Sequence, residues 1–83
     1  MKYTVTWTPS AQDELTTIWL QPYEDRQAVT RASHEIDQQL RVDPETKGQD
    51  FYGDRVLEVW QLMVVFAIYP DDRLVEVIQV FRM

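Results

Sequence analysis

From Lys2 to Thr8 the chain alternates: Tyr3, Val5 and Trp7 share one side, and Lys2, Thr4, Thr6 and Thr8 the other. A period of two carried by β-branched and aromatic residues predicts a strand with one buried face. The alternation stops at Thr8-Pro9. There threonine can cap a helix and proline suits its first position, and Asp13 and Glu14 fall in or near the opening turns, where the helix dipole favours anions. Ala11, Leu15, Ile18 and Trp19 then recur at helical spacing until Gln21-Pro22. A second start at Asp25 leads into Ala28, Val29, Ala32, Ile36 and Leu40, and Val42-Asp43-Pro44 ends that run. So short a connection predicts an antiparallel helical hairpin.

Between Pro44 and Asp54 no period survives, and both glycines of the protein occur there. The segment reads as a loop that Phe51 and Tyr52 would pin to the core. Three β-type runs follow: Arg55 to Trp60, Met63 to Tyr69, and Leu74 to Phe81. Pro70-Asp71-Asp72-Arg73 is turn chemistry, so the last two runs read as a hairpin. The uncharged stretch from Gln61 to Tyr69 is expected to be a central strand buried on most of both faces. The order strand, helix, helix, strand, strand, strand defines an α+β domain spanning residues 1–83, with a helical hairpin packed on one face of a mainly antiparallel sheet.

Size and charge narrow the function. Eighty-three residues support one core. Without cysteine there is no disulfide, thiolate nucleophile or thiolate metal site. No apolar run approaches the roughly 20 residues needed to cross a bilayer, so a cytoplasmic protein without a membrane partner is expected. The net charge of −6 weighs against a surface built to neutralise many phosphates.

No catalytic signature stands out. His34, the single histidine, falls on the polar side of the second helix, with no thiol to activate and no second histidine to share a metal; no metal or cofactor is expected. Asp71 and Asp72 belong to a turn and Glu35 and Asp37 to a helix surface, not to a carboxylate pair in a cleft. Glu58 and Glu76 lie within strands, where cross-strand ion pairs to Arg55, Arg73 or Arg82 are expected. Arg55 or Arg82 could instead face away from the helices and hold a phosphate or an acidic partner. Trp7, Trp19, Trp60, Tyr3 and Phe66 are expected in the core, because a small domain needs large side chains to bury enough area.

The segments "YTVTWTPSAQDELTTIWL" and "DRQAVTRASHEIDQQLRVDPETKG", followed by an Arg-opened strand, a valine-rich strand, a turn and "VEVIQVFR", resemble the RelE/ParE superfamily of toxins. These belong to type II toxin–antitoxin systems and are also called plasmid stabilisation proteins. The resemblance covers nearly the whole chain. Its specific parts are the proline-led helix start before Asp13-Glu14-Leu15, Asp43-Pro44 with Gly48 after the second helix, and the V-x-V-I-x-V hairpin from Val75 to Val80.

What the resemblance implies is a bacterial or archaeal toxin neutralised by a small cognate antitoxin. One branch cleaves messenger RNA on the ribosome with basic residues and no metal, and the other inhibits DNA gyrase. Carried over by position, Arg55 matches a basic residue of the second strand, Arg82 the one after the last strand, and Lys47 is a further candidate contact to target or phosphate. The cation that usually opens the third strand falls at Met63 or Val64, and Met83 follows Arg82 where a tyrosine or histidine would serve. Cleavage relies on cations that stabilise the phosphate during attack, so this pattern disfavours an endoribonuclease. A ParE-like gyrase inhibitor and a non-toxic interaction module, self-associating through its edges as a homodimer, remain as alternatives.

Overall fold

The computed structural model describes residues 2–22 and 25–83. Thr4–Trp7 forms β1, Pro9–Trp19 α1, Arg26–Leu40 α2, Gln49–Phe51 β2, Asp54–Val59 β3, Leu62–Tyr69 β4 and Leu74–Arg82 β5. The five strands make one sheet in the order β1-β5-β4-β3-β2. Only the β1–β5 pair is parallel. Both helices pack on the same face, so the α+β architecture and the mainly antiparallel sheet are as the pattern predicts.

The helix starts form as the sequence indicates. Thr8 Oγ1 accepts the Ala11 N–H at 3.1 Å with Pro9 at the first helical position. The Asp25 carboxylate accepts the N–H groups of Gln27 and Ala28 at 3.1 and 3.2 Å. Each cap satisfies donors that the first turn leaves without intrahelical partners. Asp13 and Glu14 are not first-turn residues; Glu14 turns toward the sheet instead.

Val29, Ala32, Ile36 and Leu40 of α2 are buried against Leu57, Val59, Leu62, Val64, Phe66, Val75, Val77 and Val80. Helix α1 buries Ala11 fully and Leu15 and Ile18 in part. Trp19 stays exposed at the end of that stripe, where the Arg26 guanidinium lies 4.6 Å from its ring centroid. Tyr3 and Phe66 join the core and Trp7 packs partly against it, but Trp60 is 74% exposed at the β3–β4 turn. The expectation that all three tryptophans are core therefore holds only in part.

Segment 44–54 also differs from the expected loop. Residues Gln49–Phe51 pair with Asp54–Val56 as a fifth strand. Tyr52 and Gly53, both at positive φ (51° and 90°), make the two-residue hairpin, the geometry whose twist matches that of the flanking strands. Phe51 is exposed and Tyr52 is 96% exposed, their rings packing edge-on at 5.0 Å. They do not pin the segment; Pro44, fully buried, does.

One irregularity decides the two faces of the sheet. Val65 lies opposite Gln79 and Phe66 opposite Val77, so Ile78 is an extra residue in β5. A bulge of this kind shifts alternation by one. Val75, Val77 and Val80 can then all face the helices, and Phe81 passes to the opposite side with Met63.

Candidate functional site

Cross-strand register fixes where the candidate cations point. Arg55 lies opposite Phe66 and Arg82 opposite Leu62. Both partners are fully buried under the helices. Directly opposed residues share a face, so both arginines sit on the helix-facing side, at the margins of the core.

Arg55 is half-buried and its guanidinium is occupied. Nε donates to the Lys47 carbonyl at 2.9 Å, Nη2 to the Gly48 carbonyl at 3.0 Å, and Nη1 to Asp50 Oδ1 at 3.1 Å. A planar fork of donors suits such a fan of acceptors. The Asp50 side chain is 91% exposed, so that ion pair adds little; the two backbone carbonyls do most of the anchoring. Lys47 Nζ donates to the Val42 carbonyl at 2.9 Å. Arg55 and Lys47 are thus brought together, as braces of the segment leading into β2.

Arg82 stands apart. Two strand spacings and four residues of register separate it from Arg55, a Cα separation of roughly 16 Å at standard strand dimensions. It lines a cleft with Asp13, Glu14, Thr17 and Ile18, so carboxylates accompany it. The three candidate cations do not converge on one point. Of the two positions where the resemblance implies a further cation, Val64 is in the core and Met63 lies on the side away from the helices.

That open side has its own composition. Val56 faces Val65, which faces Gln79; Glu58 faces Met63, which faces Phe81; Ala67 faces Glu76, which faces Thr6; Tyr69 faces Leu74, which faces Thr4. Phe51 and Asp54, opposite each other, continue the same face onto β2. Apolar side chains fill its centre, and Val65 is only 4% exposed although no helix covers it. Asp54, Glu58 and Glu76 are its charges, and its strand positions carry no lysine or arginine. Among the described residues the expected ion pairs of Glu58 and Glu76 with arginine are not formed. Arg55 and Arg82 are on the other face, and the Arg73 guanidinium lies 5.9 Å from the Tyr3 ring centroid. Alternation by itself could not have found this face, because the bulge at Ile78 determines which end of β5 contributes to it.

His34 lines a cleft with Trp7, Gln12, Leu15, Thr16, Ser33 and Asp37. Among the described residues no group of three or more histidines, cysteines or carboxylates is placed to hold a metal, and no helix is long and apolar enough to cross a membrane.

No family model matches the sequence, and no curated protein is detectably similar to it. Solved structures are. The chain superimposes on the RelBE2 toxin–antitoxin complex of Mycobacterium tuberculosis with a TM-score of 0.82 at 17% identity, covering 100% of this chain and 93% of that one. The chromosomal ParDE system of P. aeruginosa gives 0.68 at 18% identity, covering 99% and 97%. The archaeal RelE–RelB complex from Pyrococcus horikoshii gives 0.64 at 12%, covering 99% and 96%. The protein has the fold of the RelE/ParE toxins, over its whole length.

Proposed function

We propose that this protein is the toxin component of a type II toxin–antitoxin module, held inactive by a small antitoxin. The observation that carries the reading is the match, over 99–100% of this chain, to chains crystallised in toxin–antitoxin complexes. Proteins capture a partner's segment by taking an amphipathic helix into a groove or by adding a strand to a sheet edge, and β1 and β2 are the two edges of this sheet.

Messenger RNA cleavage is the weaker form of the reading. Arg55 and Lys47 are engaged with backbone carbonyls, Arg82 lines a cleft with two carboxylates, and the open sheet face is acidic. A polyanion is repelled by such a face. A gyrase-directed toxin needs no phosphate-stabilising constellation, and the same observations favour it over a nuclease.

Inducible expression in a bacterial host tests both levels. Growth arrest relieved by coexpressing the small protein encoded beside this one supports the toxin reading; unimpaired growth at soluble, folded levels refutes it. During arrest, intact transcripts with altered plasmid supercoiling support gyrase, whereas new transcript ends inside codons, lost in Arg82→Ala, establish the nuclease.

A further inference from the structure

We propose that the tip of the β2–β3 hairpin, Phe51 and Tyr52, is a preformed aromatic knob that inserts into an apolar, basic-rimmed pocket on the protein this chain inhibits. The inference rests on the toxin reading for the existence of a target, and on the hairpin alone for the chemistry of the contact.

Strain, exposure and rigidity meet at this tip. Tyr52 stands at φ 51° in the two-residue turn, a conformation that glycine or asparagine adopts readily and a bulky aromatic residue rarely. The fold gains little from the ring. Tyr52 is almost wholly in water, Phe51 is exposed, neither belongs to the core, and the two rings meet only edge-on. A strained residue that the fold does not use places its use outside the chain. The tip is also held still. Gln49, Asp50 and Phe51 pair with β3, and behind them Arg55 grips the Lys47 and Gly48 carbonyls and the Asp50 carboxylate. An aromatic side chain presented on so rigid a mount loses little freedom on insertion, which is how tyrosine comes to dominate binding energy at interfaces.

Charge selects the occupant. Asp54 lies directly opposite Phe51 on one face of the hairpin, and Asp50, its side chain open to water, stands on the other. Bases could stack on the two rings, but a nucleic acid would bring its phosphates against both carboxylates. A second copy carries the same net charge of −6 to the contact. A protein pocket with Lys or Arg at its mouth takes the rings and pairs the carboxylates.

The experiment expresses the full chain as wild type, Tyr52→Asn, Tyr52→Phe and Asp54→Lys, and reads growth together with the melting point of each purified protein. Asparagine suits the turn and removes the ring. Tyr52→Asn is therefore expected to melt at or above wild type, by up to about 4 °C, while needing at least about tenfold more protein for the same growth arrest. Stability and toxicity moving in opposite directions is the result that a merely structural tyrosine would not give. Tyr52→Phe is expected to arrest growth as wild type does, and Asp54→Lys to weaken arrest. A lower melting point for Tyr52→Asn would make the ring structural and overturn the proposal. So would stronger arrest in Asp54→Lys, which would place a phosphate backbone at the tip. Full arrest in Tyr52→Asn that the small protein encoded beside this one no longer relieves would assign the knob to that inhibitor, and also overturn it. A toxic wild type with an equally toxic, normally relieved Tyr52→Asn refutes the proposal alone; a wild type that arrests nothing refutes the toxin reading and the proposal with it.

Discussion

Glu14 Oε1 accepts the backbone N–H of Val80 at 2.9 Å, a side chain of α1 doing for β5 what a neighbouring strand would do. Strand β1 pairs with β5 only as far as Trp7 opposite Val77, so the outer edge of β5 beyond that point has no strand beside it. Val80 is almost fully buried, and a buried donor left without a partner costs about 1–3 kcal/mol. Glu14→Ala is expected to lower stability by that amount in urea unfolding. Glu14→Gln, which keeps a carbonyl oxygen at the same reach, is expected to recover most of it. An unchanged midpoint in Glu14→Ala would show that water satisfies Val80.

Arg55 carries a prediction that separates support from function. Its three hydrogen bonds hold Lys47, Gly48 and Asp50. Arg55→Ala is expected to cost about 1–3 kcal/mol and to accelerate amide exchange through Gln49–Phe51, with β4 and β5 protected as before. Lysine cannot present a planar fork to two carbonyls and a carboxylate, so Arg55→Lys is expected to restore less than half. Any loss of toxicity in Arg55→Ala is to be read against that melting curve. Loss of toxicity at full stability would place the guanidinium at a target after all.

The two glycines are unequal. Gly48 has φ +67°, and a Cβ there would run into the carbonyl of Val56; Gly53 has φ +90° with nothing within 4 Å of such a carbon. Gly53→Ala meets only the backbone penalty, about 1–3 kcal/mol. Gly48→Ala adds a clash with a backbone atom that cannot rotate away, and is expected to cost clearly more, or to detach β2. Thermal melts of the pair decide it: a 1 kcal/mol difference is about 4–8 °C in Tm at this size. Equal melting points would mean that β2 yields freely.

How much of this was legible in the sequence follows from which interactions are local. Thr8, Pro9 and Asp25 act within one helical turn, so the starts of α1 and α2 are readable from the chain. Strand β2 was missed because its hairpin turns on Tyr52-Gly53, and tyrosine is an unusual residue at positive φ. The faces of β5 were missed for a different reason. Counting by twos from Val75 and Val77 puts Gln79 and Phe81 inward and Arg82 outward, and the extra residue at Ile78 reverses all three. No local signal marks that bulge; β4 fixes it, by placing Val64 and Leu62 where Val80 and Arg82 must follow. Arg55 and Arg82 both lie on sheet strands, and the side that Arg82 occupies depends on that one extra residue.

Trp60 and Phe66 give the last prediction, because composition treats them alike and the structure does not. Phe66 is fully buried on β4 among the residues of both helices, whereas Trp60 lies at the β3–β4 turn with most of its ring in water. Truncating a buried phenylalanine leaves a cavity as well as losing transfer energy, about 3–5 kcal/mol. Phe66→Ala is therefore expected to unfold most of the protein at growth temperature, and Phe66→Leu to preserve the fold with a lower melting point. Trp60→Ser is expected to change stability by about 0.5 kcal/mol or less while removing the most solvent-quenched part of the tryptophan fluorescence, since Trp7 and Trp19 are better covered. A melting point for Trp60→Ser as low as that of Phe66→Leu would mean that the ring is covered in solution by a contact the isolated chain does not make, and iodide quenching of the wild type would then be correspondingly weak.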